Sequence, residues 1–144
     1  MDETRPQFPA TLLRSYPHMF PLDIAIWERF LSAYPDLYNG FDYDVKVGSG
    51  TEAAEGTPEN YVRMQQILSK YRIDAVGYRS QGIDIIEVKP EAGTVAIGQI
   101  VAYVSLYQRD LSPTLPLRGV IVTDRELPDM KHLTAQQGIG YYIV

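Results

Sequence analysis

Two neighbouring apolar segments of this chain carry charged side chains at positions where a buried strand would carry none. Asp74 lies in the first segment, and Glu87 and Lys89 lie in the second. Burying an unpaired charge is costly, so such residues need a partner, a bound cation or access to water. Two carboxylates beside an amine are groups that can hold a divalent cation and assist the hydrolysis of a phosphodiester.

The short connection between the two segments predicts how these residues are placed. A two-residue turn at Ser80 and Gln81 would pair the segments as antiparallel strands, with Asp74 directly opposite Glu87. Lys89 would lie on the same face, because side chains two residues apart in a strand point to the same side. A four-residue loop gives the same pairing, whereas a three-residue loop would turn one strand over.

This arrangement predicts a metal site built from oxygen ligands. A divalent cation between Asp74 and Glu87 would remove their repulsion and act as a Lewis acid, with the carbonyl oxygen of Val88 as a further candidate ligand. Lys89 would bring a positive charge to the phosphate or help to position the attacking water. The chain has no cysteine and two histidines, which excludes disulfides and cysteine zinc sites and favours Mg²⁺ or Mn²⁺. The structural alternative is a simple salt bridge between Asp74 and Lys89, with Glu87 exposed.

The pattern around these residues predicts an α/β fold with a mixed central sheet and helices on both faces. Proline-rich residues 1–20 indicate an extended arm, followed by a single domain at residues 21–144. A helix separates the strands 82–89 and 119–123, so these two should be parallel. Helices are expected at 21–34, 57–71, 94–108 and 128–137, and strands at 41–47, 72–79, 82–89, 119–123 and 141–144.

The composition limits the classes of partner. The net charge is −5 and the isoelectric point is about 4.9, which argues against a free-standing protein that binds DNA tightly. A local basic rim or a partner that delivers the DNA would be needed.

No run of about 18 apolar residues predicts a membrane span, and the polar N-terminus lacks a signal-peptide core, so a cytoplasmic location is expected.

Three motifs together make residues 21–144 resemble the PD-(D/E)XK nuclease superfamily. They are Asp74 (preceded by isoleucine instead of proline), Glu87-Val88-Lys89, and Gln99-Ile-Val-Ala-Tyr103. The last is similar to the Gln-x-x-x-Tyr motif of the RecB-like and lambda-exonuclease-like branch. The resemblance implies a restriction-endonuclease-like sheet, and a helix face carrying Gln99 and Tyr103 that contacts DNA or orients the metal ligands. It also implies a carboxylate on the first helix. Glu28 is the candidate, although a solvated helix glutamate is the simpler interpretation.

Two hypotheses of different classes follow. The first is a metal-dependent DNA nuclease in which Asp74, Glu87, Val88 and Glu28 bind the cation, and Lys89, Gln99 and Tyr103 complete the site. The second is a non-catalytic phage structural or assembly protein of a neck, portal-adaptor or baseplate complex that retains the nuclease fold. The acidic charge, the eleven tyrosines and a proline-rich arm that could dock on a neighbouring subunit favour the second. A phage-encoded protein would lie in the host cytoplasm or in the virion.

Overall fold

The computed structural model describes residues 5–144 as an α/β fold with a mixed six-stranded sheet and four helices. The predicted fold class is confirmed, and each predicted helix and strand is present. The strands are β1 (Phe8–Pro9), β2 (Gly40–Val47), β3 (Tyr71–Arg79), β4 (Gly82–Val88), β5 (Leu117–Thr123) and β6 (Gly140–Ile143). The helices are α1 (Pro21–Ala33), α2 (Glu59–Leu68), α3 (Thr94–Leu111) and α4 (Met130–Gln136).

The strands lie side by side in chain order, from β1 to β6. Neighbours are antiparallel from β1 to β4, whereas β4, β5 and β6 are parallel. The parallel pairing follows from the helices α3 and α4, each of which carries the chain back across the sheet between two strands. The turn between β3 and β4 places Arg79 opposite Gly82 and Ala75 opposite Ile86, the pair next to positions 74 and 87.

Helices cover both faces of the sheet and form two separate cores. On the first face, α1 buries Trp27 and Phe30 against β2 and β4. On the second face, α3 buries a stripe at helical spacing against β3, β4 and β5: Ala96, Ile100, Tyr103 and Tyr107. Across residues 5–144, no helix combines the length and the apolar character that a membrane crossing requires.

The N-terminal segment packs against the domain that follows it. Phe8–Pro9 extends the sheet as its edge strand beside β2, and Tyr16 and Met19 are buried in the first core. Arg5 donates a hydrogen bond of 2.6 Å to the buried carboxylate of Asp42. Arg5, Phe8, Tyr16 and Met19 are thus each held against the rest of the same chain.

Helix α2 differs from the other three helices because none of its residues is buried. The sequence predicts an apolar stripe on one face of this helix, and the stripe is present but faces outward. The helix also ends earlier than predicted, so that Tyr71 begins β3. The exposed apolar side chains of the helix are Tyr61, Met64, Ile67 and Leu68.

Two glycines provide a direct test of the packing. A Cβ atom at Gly77 would lie 2.5 Å from the ring of Tyr38, which is buried and hydrogen-bonded to Asp84, whereas a Cβ atom at Gly98 of α3 would meet nothing within 4 Å. We expect Gly77→Ala to lower the free energy of unfolding by about 1–3 kcal/mol, because the ring has no room to move. Gly98→Ala should raise it by up to about 1 kcal/mol, the gain in helix propensity. Urea denaturation measures both, and effects of the same sign would contradict this packing.

Candidate active site

Asp74, Glu87 and Lys89 line one cleft of about 330 Å³. Asp74 comes from β3, Glu87 from the end of β4, and Lys89 from the residue after that strand. The segment leading into α1 forms the opposite wall. The cleft is lined by His18, Phe20, Asp23, Arg72, Asp74, Glu87, Val88, Lys89 and Pro90.

The carboxyl groups of Asp74 and Glu87 are close enough to share a hydrogen bond. Burial raises the pKa of both groups above the ordinary range. The negative charge of Asp74 and the hydrogen bond between the two groups raise the pKa of Glu87 further. The same hydrogen bond lowers the pKa of Asp74, while burial keeps it raised, so the two groups resist being ionised together.

Asp74 lies at an irregular point of the sheet. Ile73 packs into the second core and Ala75 into the first, although residues two apart in a regular strand share one face. Asp44, at the position opposite Asp74 in the β2–β3 register, has a φ angle of +53°. Its carboxylate accepts two hydrogen bonds of 2.7 Å from Arg72. This irregularity places Asp74 in the cleft and its neighbours in two different cores.

Backbone hydrogen bonds hold the strand end that carries the other charged residues. The backbone N–H of Val88 donates to Oδ2 of Asp74 at 2.9 Å, and the backbone N–H of Lys89 donates to the carbonyl of Val122 at 3.0 Å. The ammonium group of Lys89 lowers the pKa of Glu87, in opposition to burial and Asp74, which raise it. Within residues 5–144, Lys89 makes no ion pair shorter than 4.0 Å, so the alternative salt bridge with Asp74 is absent there.

Gln99 and Tyr103 of α3 do not line the cleft. Tyr103 is buried and its ring packs 5.9 Å from that of Tyr71. Burial, together with the negative charges of Glu87 and Asp74, raises the pKa of Tyr103 to about 12. The side-chain oxygen of Gln99 is buried without a hydrogen-bond partner in the described part of the chain, which is an energetically costly arrangement.

The carboxylate of α1 that reaches the cleft is Asp23. Its negative charge contributes to the raised pKa values of Asp74 and Glu87, after burial and the nearer groups. The sequence interpretation placed Glu28 in this role, but Glu28 faces the hydroxyl of Tyr16 and does not line the cleft. Asp23 and Glu28 are five residues apart in α1, which is more than one helical turn, so the two carboxylates lie at different heights along the helix.

Four further lining residues were not predicted from the sequence: His18, Phe20, Arg72 and Pro90. His18 has a φ angle of +63°, an uncommon conformation for a residue other than glycine. No spacing in the sequence links residues 18–20 to β3 and β4, since only the packing of the N-terminal segment brings them together. Arg72 could have been predicted as a neighbour of Asp74, because it lies two residues before Asp74 in the same strand.

The residues of the cleft fit a hard cation that keeps part of its hydration shell. Two buried carboxyl groups side by side disfavour a second negative charge. A divalent cation bound between them would neutralise both charges, as a proton neutralises one of them. Within residues 5–144, no three acidic or histidine side chains cluster closely enough to form a metal cage. Mg²⁺ is typically bound by one or two carboxylates and several waters, whereas zinc needs three or four protein ligands.

The Glu87→Gln variant tests the electrostatics of the pair in the absence of metal. A glutamate whose pKa is raised on folding stabilises the fold at low pH and loses that contribution as the pH rises through the raised value. We therefore expect Glu87→Gln to match the wild type near pH 4 and to melt a few degrees higher at pH 9. One kcal/mol corresponds to roughly 4 °C in a domain of this size. Calorimetry in EDTA measures the difference, and Glu52→Gln, at an exposed loop position, should show none.

No protein-family model and no curated protein matches this sequence. Among solved structures, this chain is similar to a chain of the EndoMS-dsDNA2 complex, with a TM-score of 0.49 and 18% sequence identity. The similarity covers 92% of this chain and 48% of the other, so this chain spans about half the length of its structural neighbour.

Proposed function

We propose that this protein is a metal-dependent nuclease that hydrolyses phosphodiester bonds in DNA. The observation that carries the proposal is the placement of two carboxyl groups, those of Asp74 and Glu87, together with Lys89 in one open cleft. Burial raises the pKa of both carboxyl groups, so the cleft disfavours two negative charges. A pair of this kind is unfavourable for folding, because burial and mutual repulsion both oppose its ionised form. Its presence next to the ammonium of Lys89, which forms no ion pair within residues 5–144, favours a catalytic role over a structural one.

Five residues of the cleft have a role in this proposal. Asp74, Glu87 and the carbonyl oxygen of Val88 would hold Mg²⁺ or Mn²⁺. When bound there, the cation would polarise a phosphoryl oxygen and lower the pKa of a coordinated water. Lys89 would stabilise the negative charge that develops on the phosphate. Asp23, which lines the cleft, takes the place of Glu28 as the carboxylate of the first helix.

The two residues of α3 support the site from behind. Tyr103 packs against Tyr71 and is close enough to Glu87 and Asp74 for their charges to raise its pKa, and its ring would limit the access of water to the carboxylate pair. The side-chain oxygen of Gln99, which has no partner among residues 5–144, is an acceptor available to a metal-bound water or to a donor that arrives with the substrate. The motif formed by these residues, and its similarity to that of the PD-(D/E)XK nucleases, support DNA as the substrate.

A cleavage assay tests the proposal. Purified protein would be incubated with linear, nicked and circular DNA in Mg²⁺, in Mn²⁺ and in EDTA. We expect cleavage of at least one substrate in the presence of either metal and none in EDTA. Equal cleavage in EDTA, or no cleavage of any substrate with either metal, would contradict the proposal.

A further inference from the structure

An exposed aromatic ring stands at the mouth of the cleft. Phe20 is 68% exposed and lines the same cleft as Asp74 and Glu87. The ring is held in place, because Met19 before it is buried in the first core and Pro21 after it begins α1. The backbone N–H of Phe20 also donates to the carboxylate of Asp23 at 3.2 Å. The side chain is therefore exposed although its backbone is fixed.

A second ring extends this aromatic edge. The imidazole of His18 is exposed, lines the cleft, and lies 6.1 Å from the ring of Phe20, centre to centre. The positive φ angle of His18 turns the chain so that residues 18 and 20 face the cleft while Met19 between them is buried. The cleft thus combines flat apolar surfaces at its mouth with carboxylates and an ammonium group in its interior.

Flat rings beside a phosphate-processing site suit a nucleotide base. Bases stack on aromatic side chains regardless of sequence, and each stacked base contributes about 1–3 kcal/mol to binding. A base within a duplex has both faces covered by its neighbours, so only an unpaired or extruded base is available to such a ring. The attraction of phosphates to a protein surface depends on charge, whereas stacking does not. The net charge of −5 therefore does not weaken a stacking contact.

We propose that the preferred substrate is DNA in which the nucleotide next to the cleaved phosphate is unpaired, with its base stacked on Phe20. This inference rests on the proposed nuclease function. It implies that single strands and flapped or frayed ends are processed, whereas fully paired duplex DNA is a poor substrate. Phe20 is a specificity-determining residue in this account and takes no part in the chemistry.

Variants of Phe20 test the inference against a closely matched control. Leu22 is 70% exposed at the start of the same helix but does not line the cleft. Binding of a fluorescent 20-nucleotide single strand and of its blunt duplex would be measured by anisotropy in Ca²⁺, and cleavage of both would be measured in Mg²⁺. We expect Phe20→Leu to weaken single-strand binding about tenfold, Phe20→Trp to retain it, and Leu22→Ala to leave it unchanged.

The outcomes separate this inference from the proposed function. If the wild type cuts DNA with metal, but Phe20→Leu binds single strands as the wild type does, the stacking role is wrong and the nuclease function stands. The same holds if the wild type cuts blunt duplex as fast as single strands. If the wild type neither binds nor cuts any DNA with either metal, both proposals are overturned.

Discussion

The Lys89→Ala variant is expected to cut DNA about 10²–10³-fold more slowly than the wild type. This is the effect of removing one preorganised positive group from a site where negative charge develops. The side chain has no ion-pair partner within residues 5–144, so its removal should leave the fold intact. The single-turnover rate at saturating Mg²⁺ measures the effect without a contribution from product release.

A matched lysine provides the control for this result. Lys46 lies on β2, is exposed, and does not line the cleft. Lys46→Ala should therefore keep the wild-type rate within a factor of about three, which is the scale of a weak electrostatic contact at the surface. A Lys89→Ala variant that keeps the wild-type rate would show that the ammonium group has no part in the chemistry, whatever the metal dependence.

The Asp84→Ala variant is expected to lose about 3–5 kcal/mol of the free energy of unfolding. Asp84 is fully buried in β4, and its carboxylate accepts hydrogen bonds from Tyr38 at 2.6 Å, from Arg79 at 2.9 Å and from Arg118 at 2.7 Å. Without the carboxylate, two guanidinium groups would be left close together with no counter-charge. Urea denaturation at pH 7 measures the loss.

The Arg125–Glu91 pair is the reference for this effect. Both of its side chains are more than half exposed at a distance of 3.0 Å, and such pairs contribute little to stability. Glu91→Ala should change the free energy of unfolding by less than about 1 kcal/mol. If Asp84→Ala lowered the free energy of unfolding by no more than Glu91→Ala, solvent would be satisfying Tyr38, Arg79 and Arg118 in the variant. The hydrogen bonds to Asp84 would then not be what holds the β3–β4–β5 register.

The hairpin of β3 and β4 could be predicted from the sequence because two local features agree on it. Both strands are apolar, and Ser80 and Gln81 leave room for only a tight turn, which fixes the register by counting outward. The same count puts position 74 opposite position 87. The fold class followed similarly, since a helix between two strands requires a parallel crossover.

The rest of the cleft depends on contacts between distant parts of the chain. Asp23, His18 and Phe20 reach it because the N-terminal segment packs on the first core, which local periodicity does not encode. For α2, the helical spacing of the apolar residues predicted the helix correctly. That spacing could not predict whether the apolar face would be covered, and none of its residues is buried. Asp84 carried a visible signal, a charge within the apolar run 83–86, but its arginine partners come from the end of β3 and from β5.

The claim that the Asp74–Glu87 pair holds a divalent cation is tested most directly by the binding of Mn²⁺ in solution. Titration of the metal-free protein at pH 8, followed by calorimetry or by the electron paramagnetic resonance signal of free Mn²⁺, gives the number of ions bound. We predict one ion per chain in the wild type, and loss of that ion in Glu87→Gln but not in Glu52→Gln. No bound ion in the wild type, or one that Glu87→Gln retains with unchanged affinity, would contradict the claim.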